Sequence, residues 1–136
     1  MTISLTKLVL TLPFPPSVNN YYRTNFKSKV VHLSTKGRQF KDSMISEMKA
    51  NLLEFSSFQS SLPLTERLSV TIDLYADSHR RYDIDNRIKA CLDSLEGTIY
   101  VNDHQIDELI VRRQEVDKEN SRCLVTICVM NEQSLS

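Results

Sequence analysis

The segment Leu68–Gly97 carries the clearest pattern in the sequence: LSVTIDLYADSHRRYDIDNRIKACLDSLEG. Up to Leu74, apolar and polar side chains alternate, which is typical of a half-buried β-strand. From Asp85 onwards, apolar residues recur at helical spacing, and the closing glycine is a natural end for that helix. The predicted buried side of the helix comprises Ile88, Cys91, Leu92 and Leu95. A strand followed by an amphipathic helix predicts a sheet that is covered by helices.

The sequence on either side of this segment predicts further elements. Alternating apolar residues from Ile3 indicate a first strand that ends before Pro13, and residues 17–34 then predict a long loop or a weak hairpin. A helix capped by Ser34 or Thr35 is expected next, because apolar residues repeat every four positions as far as about residue 53. Its predicted buried stripe comprises Phe40, Met44, Met48 and Leu52. Further strands are expected over Thr98–Val101, Leu109–Val116 and Cys123–Met130.

These elements follow the order β-α-β-α-β-β-β along a chain of 136 residues. That order predicts an α+β (mixed α/β) fold with one mixed sheet and two main helices. The length suits one domain that spans residues 1–136.

Composition narrows the chemistry and the setting of the protein. Only two glycines occur, and they are far apart, which excludes the glycine-rich phosphate loops of nucleotide-binding proteins. The three cysteines form no CxxC pair, and Cys123 and Cys128 are expected on opposite faces of one strand, where they cannot share a zinc ion. The apolar start is too short to span a bilayer and lacks a cleavage site. We therefore expect a reduced, cytoplasmic protein with no membrane partner.

The charges are distributed unevenly, although 17 basic and 17 acidic residues give a net charge of zero. Residues 1–50 carry eight bases and two acids, a net +6, and residues 51–136 carry nine bases and fifteen acids, a net −6. A basic first half suits contact with a polyanion, while an acidic second half can concentrate cation ligands. Scatter over a solvated surface explains the same numbers equally well.

Two acids, Asp83 and Asp85, stand directly after Arg80 and Arg81. If the chain is extended there, residues two apart point to the same side, so both carboxylates converge. Like charges held close need a cation or a proton, and magnesium suits them because it takes one or two carboxylates and accepts phosphate oxygens. Asp103 follows the next predicted strand as a third acid.

On the predicted helix, Asp85, Lys89 and Asp93 are spaced by four residues and stack on one face. Lys89 then supplies positive charge where a reacting phosphodiester would gather negative charge. Ordinary structural roles account for each residue singly, with Asp85 as a helix cap, Lys89 as a surface ion-pair partner and Asp103 as a turn residue. They do not explain why a third acid and two arginines flank the pair.

Three stretches of the chain match a known family in order. LPFPPSVNNYYR at residues 12–23, YDIDNRIKACLDSL at 82–95 and IYVNDHQIDELIVRR at 99–113 resemble the RusA family of Holliday-junction resolvases. The central block, D-x-D-N-x-x-K-x-x-x-D-x-L, is far more specific than an isolated DxD. The resemblance implies a magnesium-dependent, structure-specific endodeoxyribonuclease, with Mn²⁺ as a substitute ion, that acts in DNA recombination and repair. It also implies a bacterial or phage-encoded homodimer that nicks four-way junction DNA in symmetric pairs.

The resemblance assigns residues by position. The essential acids of the family, which are the implied metal ligands, fall on Asp83, Asp85 and Asp103. Its catalytic lysine falls on Lys89.

Three further polar residues are expected to lie around the metal ligands and to support them. Asn86 and Asp93 match the central block. Asn102 departs from the pattern, because the family often has two adjacent acids where this chain has asparagine followed by Asp103. An asparagine offers a carbonyl oxygen to a metal or its water but no charge, which leaves Asp103 as the expected ligand of the two.

Basic residues are expected to hold the DNA backbone, namely Arg23, Lys27, Lys29, Arg80 and Arg81. Such contacts position a substrate without reading its bases, so recognition should rest on junction shape.

Two other classes of protein remain open as alternatives. A non-catalytic protein that binds branched or single-stranded DNA would stack bases on Tyr21 and Tyr22 and needs no acid cluster. Another magnesium-dependent phosphoryl-transfer enzyme would use the acids but needs a nucleotide pocket, which the scarcity of glycine disfavours.

Overall fold

The computed structural model describes the protein over residues 7–25, 27–50 and 62–130. In these ranges the main sheet contains β1 (Lys7–Leu12), β4 (Leu68–Tyr75), β5 (Ile106–Arg113) and β6 (Arg122–Val129). A separate hairpin consists of β2 (Tyr22–Thr24) and β3 (Val31–Leu33). The α-helices are α1 (Val18–Tyr21), α2 (Thr35–Ala50) and α3 (Asp85–Leu95).

The main sheet has the strand order β1-β6-β4-β5. β4 and β5 are parallel, and α3 forms part of the crossover that a parallel pair requires, whereas the other two pairings are antiparallel. β6 lies inside the sheet, while β5 pairs only with β4 among the described residues and forms an edge. The fold is therefore α+β with one mixed main sheet, and α2 and α3 are its two main helices, as the sequence predicted.

Side chains on one face of the main sheet form the core. Alternate residues of β4 are fully buried, and the residues of β1 and β6 in register with them continue the same face. The two main helices cover this face with Phe40, Met44, Cys91 and Leu95. None of the helices in the described ranges is long and apolar enough to cross a membrane.

The start of α2 is fixed by a side-chain cap and by a close backbone contact. The Gly37 N–H donates to Ser34 Oγ at 3.0 Å, which confirms the predicted cap. Gly37 also lies against the end of α1, where a Cβ atom on this residue would stand 2.3 Å from the backbone oxygen of Tyr21. The helix can approach α1 this closely only because residue 37 has no side chain.

We expect Gly37→Ala to destabilise the protein by about 1–3 kcal/mol, the usual cost of forcing an extra group into a packed site. A glycine-to-alanine change inside a helix ordinarily stabilises it by about 1 kcal/mol, so the sign is reversed here. Urea unfolding followed by circular dichroism measures the difference. Ser46→Ala, at an exposed position of α2, is the matched control and should be neutral or stabilising. A Gly37→Ala protein as stable as wild type would contradict the packing described here.

The predicted strand over Thr98–Val101 is wrong. The N–H groups of Thr98 and Ile99 donate to the Leu95 carbonyl at 3.2 and 2.9 Å, so the chain folds back on the end of α3 instead of joining a neighbouring strand. Gly97 permits this turn with φ = 86°, which confirms it as the end of the helix. Only isolated bridges remain there, from Tyr100 to residues 64 and 96.

Other predicted boundaries shift by a few residues. β5 begins at Ile106 and ends at Arg113, in each case three residues before the expected boundary. The expected end of α2 at about residue 53 lies outside the described residues. On α3, the predicted Cys91 and Leu95 are fully buried, whereas Ile88 and Leu92 are half-buried at the edge of the core. Ala90 and Ser94 complete the buried side. The expected core positions Ile3, Leu5 and Leu52 lie outside the described residues.

Candidate active site

Asp83 and Asp85 lie at the N-terminal end of α3, and both are exposed. Ile84 between them already has helical backbone angles, with φ = −65° and ψ = −35°. The Asp83 carbonyl accepts a hydrogen bond from the Asn86 N–H at 3.2 Å, as in a first helical turn. The expected extended geometry is therefore wrong, because the chain becomes helical one residue before Asp85. The two acids are close in sequence and in space, but strand alternation does not align them.

The carboxylates of Asp83 and Asp85 are free of hydrogen bonds and ion pairs to other residues in the described ranges. The N-cap position of α3 is Ile84, and no side chain caps the helix. Asp85 is therefore not a helix cap, which was the ordinary structural role considered for it. The N-terminal end of a helix favours negative charge. Two exposed carboxylates without protein partners are the kind of oxygen donors that Mg²⁺ accepts.

Asp103 lies near the opposite end of α3. Its N–H donates to Glu96 Oε1 at 3.0 Å, and Glu96 is the residue at which the helix ends. The 11 residues of α3 correspond to about 15 Å of helix, so Asp103 and Asp85 stand at opposite ends. Within the described ranges, no group of three or more acidic, histidine or cysteine side chains is placed to hold a metal ion. One chain alone does not bring the three predicted metal ligands together.

Asn102 has a structural role that the sequence did not indicate. Its side-chain oxygen accepts a hydrogen bond from the His104 N–H at 3.0 Å, and its own N–H donates to Gln105 Oε1 at 2.8 Å. These two bonds form a capping box around the short 3₁₀ helix Asp103–Gln105. The buried Gln105 then donates to the Leu64 carbonyl at 2.9 Å, which fixes the segment against the core. The oxygen that was expected to support a metal is thus engaged in holding Asp103 in place.

Asp93 has the most partners among the candidate acids. Its carboxylate accepts a hydrogen bond from the Tyr22 hydroxyl, and its Oδ2 lies 3.3 Å from Lys89 Nζ. Burial, followed by the negative charges of Glu96 and Asp103, raises the pKa of Asp93. The folded state therefore binds this proton more tightly than the unfolded chain. The contribution of Asp93 to stability accordingly falls as the pH rises from its ordinary pKa through the raised value.

Lys89 lies on the face of α3 that was predicted to carry Asp85, Lys89 and Asp93. It pairs with Asp93 in the next turn, and this is the ion pair that it forms among the described residues. Its side chain is 56% exposed, so the ammonium group is available to a substrate at the surface. Asn86 is half-buried in the first turn of the same helix, and its supporting role stays a prediction.

The predicted DNA contacts fall on two exposed surfaces. Arg80 and Arg81 lie between β4 and α3 and line a cleft of about 550 Å³ together with Tyr82 and Lys118. This cleft adjoins the N-terminal end of α3 in sequence, so its positive charge is close to Asp83. An extended phosphate backbone is the kind of ligand that such an arginine-rich cleft attracts.

The second surface is formed by the β2–β3 hairpin and the start of α2. Arg23 lines a cleft of about 650 Å³ with Lys36 and Arg38. Lys27 and Lys29 are exposed in the hairpin turn. Five of the eight bases in residues 1–50 thus belong to the hairpin or to the start of α2. They account for most of the basic excess in the first part of the sequence.

Tyr21 and Tyr22 do not offer a pair of rings for base stacking. Tyr21 is only 1% exposed and packs edge-on against Tyr22 with ring centroids 4.7 Å apart. Burial, with smaller effects from Asp93 and Cys91, raises the pKa of Tyr21 to about 12. The stacking arrangement expected for a single-strand-binding protein is therefore absent at these two residues.

Comparison with known proteins bears on what this site does. The family model for endodeoxyribonuclease RusA matches residues 13–128. This chain belongs to the RusA family. It is 30% identical over 125 residues to the crossover junction endodeoxyribonuclease RusA of Enterobacteria phage 82, with 91% of this chain and 96% of the relative covered. The same identity and coverage are found for the crossover junction endodeoxyribonucleases RusA of Shigella sonnei and Escherichia coli K12. RusA proteins are enzymes, namely endodeoxyribonucleases.

Arg87 is a residue of this RusA-family site that the sequence did not single out. Its Nη1 donates to the Pro15 carbonyl at 2.9 Å, and its guanidinium carbon lies 5.3 Å and 5.8 Å from the ring centroids of Phe14 and Tyr82. These contacts hold the proline-rich segment after β1 against the start of α3, next to Asp85. Both segments belong to the stretches that resemble the family, but no local pattern in either of them indicates that they meet.

Proposed function

We propose that this protein is a magnesium-dependent, structure-specific endodeoxyribonuclease that resolves four-way DNA junctions by paired, symmetric nicks. The observation that carries the proposal is the pair of carboxylates of Asp83 and Asp85, which are exposed and have no partner among the residues described. They stand beside an arginine-lined cleft in a chain whose relatives are crossover junction endodeoxyribonucleases over 91% of its length. Its role would lie in DNA recombination and repair, and its place would be the bacterial cytoplasm, where such junctions arise.

Asp83 and Asp85 would hold the metal, with Asp103 as a further ligand. Their donor set is all carboxylate oxygen, which suits Mg²⁺ and also Mn²⁺. When bound, the ion supplies an activated water and neutralises charge on the scissile phosphate. The protein contributes the orientation of the two acids, because the first turn of α3 fixes their backbone.

Lys89 and the arginines have separate tasks in this proposal. Lys89 stabilises the negative charge that develops on the phosphate or on the leaving oxygen, since its ammonium is exposed one turn after Asp85. Arg80 and Arg81 hold the phosphate backbone beside the acids, and Arg23 holds it on the hairpin side. None of these contacts needs a particular base, so junction shape would select the substrate.

A homodimer forms part of the proposal for two reasons. A four-way junction with matched arms has two-fold symmetry, and a closed dimer presents the same site twice. In addition, Asp103 stands at the other end of α3 from Asp83 and Asp85. A partner subunit can supply its Asp103 to the acid pair of the first, which would complete each metal site across the interface. β5 is one of the two edge strands of the main sheet in the described ranges, and its Leu109 is 39% exposed, so it would offer one side to such a partner.

The direct test is cleavage of a synthetic four-way junction. With Mg²⁺ we expect nicks in the junction but not in duplex DNA of the same sequence, and we expect none in the presence of a chelator. Junction binding should persist in the chelator, because the basic surfaces do not depend on the metal. Equal cleavage of the duplex would show that the enzyme is not structure-specific. Cleavage that continues in the chelator would show that it does not need a metal ion.

A further inference from the structure

One side-chain cluster joins the β2–β3 hairpin to α3 through Lys89. Tyr22, the first residue of β2, donates its hydroxyl proton to Asp93 Oδ2. Lys89 Nζ lies 3.3 Å from the same oxygen and 5.7 Å from the centroid of the Tyr22 ring. The ammonium group is therefore held from two directions, by a carboxylate and by an aromatic face.

This arrangement differs from an ordinary surface ion pair. An exposed lysine and acid four residues apart on a helix restrict one another little, since both side chains move freely in water. Here the acid is only 19% exposed and is anchored by a second donor, while the lysine remains 56% exposed. Asp93 is therefore held in place, while the side chain of Lys89 remains accessible at the surface. The Lys89 side chain is therefore already restricted before a substrate binds, and less rotamer entropy remains to be lost on binding.

The anchor itself is rigid because Tyr22 is tied to the core. Its ring packs edge-on against the buried Tyr21, whose ring in turn packs against Phe40 of α2 at 6.5 Å between centroids. The backbone of Tyr22 pairs with Leu33 in the hairpin. A cleft of about 800 Å³ opens in front of this group and is lined by Tyr22, Arg23 and Lys89.

We propose that Tyr22 and Asp93 are positioning residues that hold Lys89 in the orientation required for strand cleavage, and that the hairpin is thereby part of the active-site framework. The proposal rests on the catalytic role proposed above for Lys89. It assigns to Tyr22 a function through its hydroxyl group, toward Asp93, and not through stacking on a base.

The decisive variant is Tyr22→Phe, which removes the hydroxyl and keeps the ring. We expect its single-turnover rate on saturating junction DNA to fall about 3- to 10-fold, the factor that one hydrogen bond contributes, with junction affinity changed less than about twofold because no phosphate contact is lost. Asp93→Asn should have a larger effect, because it removes the ion pair as well. Tyr75 lies on β4 with its ring centroid 4.0 Å from the Arg122 guanidinium carbon. Tyr75→Phe is therefore a hydroxyl deletion outside the Lys89 cluster and should cleave like wild type.

Two further measurements separate positioning from general structural damage. In a Lys89→Met background, Tyr22→Phe should cause no additional loss of rate, since the residue through which it acts is gone. NMR relaxation of the Lys89 side chain should show a lower order parameter in Tyr22→Phe than in wild type. An equal loss of rate with and without Lys89, or an unchanged order parameter, would overturn the proposal. If Lys89→Met alone cleaves at the wild-type rate, the catalytic role of Lys89 fails, while a loosened Lys89 in Tyr22→Phe would still establish the anchor.

Discussion

Replacing Asp83 or Asp85 with asparagine is expected to lower the rate of junction cleavage by about 10³-fold or more, because a metal ion contributes several kcal/mol to the transition state. Asparagine keeps the size of the side chain and removes its charge. Both acids are exposed and have no side-chain partner in the part of the chain that the structure describes, so neither change should unfold the protein. Junction affinity should be unchanged or higher, since less negative charge then faces the phosphates. Single-turnover cleavage and gel-shift titration in calcium measure the two quantities separately.

Asp42→Asn is the matched control for this prediction, because Asp42 is an exposed acid on α2 and does not line the cleft formed by Arg80 and Arg81. It should cleave at the wild-type rate. Asp103→Asn should be as inactive as Asp85→Asn, and mixing the two inactive proteins should restore part of the activity if each metal site draws acids from both subunits. Full turnover by either Asp83→Asn or Asp85→Asn would show that the metal is held elsewhere.

The second large effect is expected for Lys89→Ala. Removing one group that stabilises developing charge typically costs about 10²-fold in rate, and the exposed ammonium of Lys89 is placed for that task. Affinity for the junction should fall by far less than the rate, because a single phosphate contact is worth little among many. The comparison needs the cleavage rate of fully bound DNA together with the dissociation constant.

Lys49→Ala provides the control for this lysine, since Lys49 is exposed in the last turn of α2. We expect wild-type rates from it. A Lys89→Ala protein that cleaves bound junction normally and only binds it more weakly would reduce Lys89 to a backbone contact.

The sequence predicted the elements whose pattern is local. The alternation over Leu68–Leu74 and the helical spacing after Asp85 each depend on one buried face, and both elements formed where expected. The strand predicted over Thr98–Val101 is wrong because Ile99 and Tyr100 are buried at the end of α3, and burial alone does not distinguish a strand from such a turn. The strand order could not be predicted from local sequence patterns, because the pairing of β6 with both β1 and β4 depends on contacts between distant segments.

The site residues named from the sequence remain a prediction, and the structure differs from the geometry that was expected for them. The family-like block placed Asp85 and Lys89 on the helix and Asp83 just before it, and the structure agrees with that arrangement along the chain. Their expected alignment failed at Ile84, where one helical residue is enough to change the direction of the side chains. The contacts of Tyr22 with Asp93, and of Arg87 with Phe14, join segments about 70 residues apart. No periodicity within either segment encodes such contacts.

Cleavage of a supercoiled plasmid that carries an extruded cruciform distinguishes paired nicking by a dimer from single nicking by a monomer. The cruciform is a four-way junction, and a single nick releases the supercoiling that sustains it. A homodimer with two Asp83–Asp85 sites should make its second cut within the lifetime of the same complex and so convert the plasmid directly to the linear form in Mg²⁺. Sedimentation under the same conditions should show a dimer. A monomer that yields only nicked circles would contradict a homodimer with paired sites and would indicate a nuclease that cuts one strand at a time.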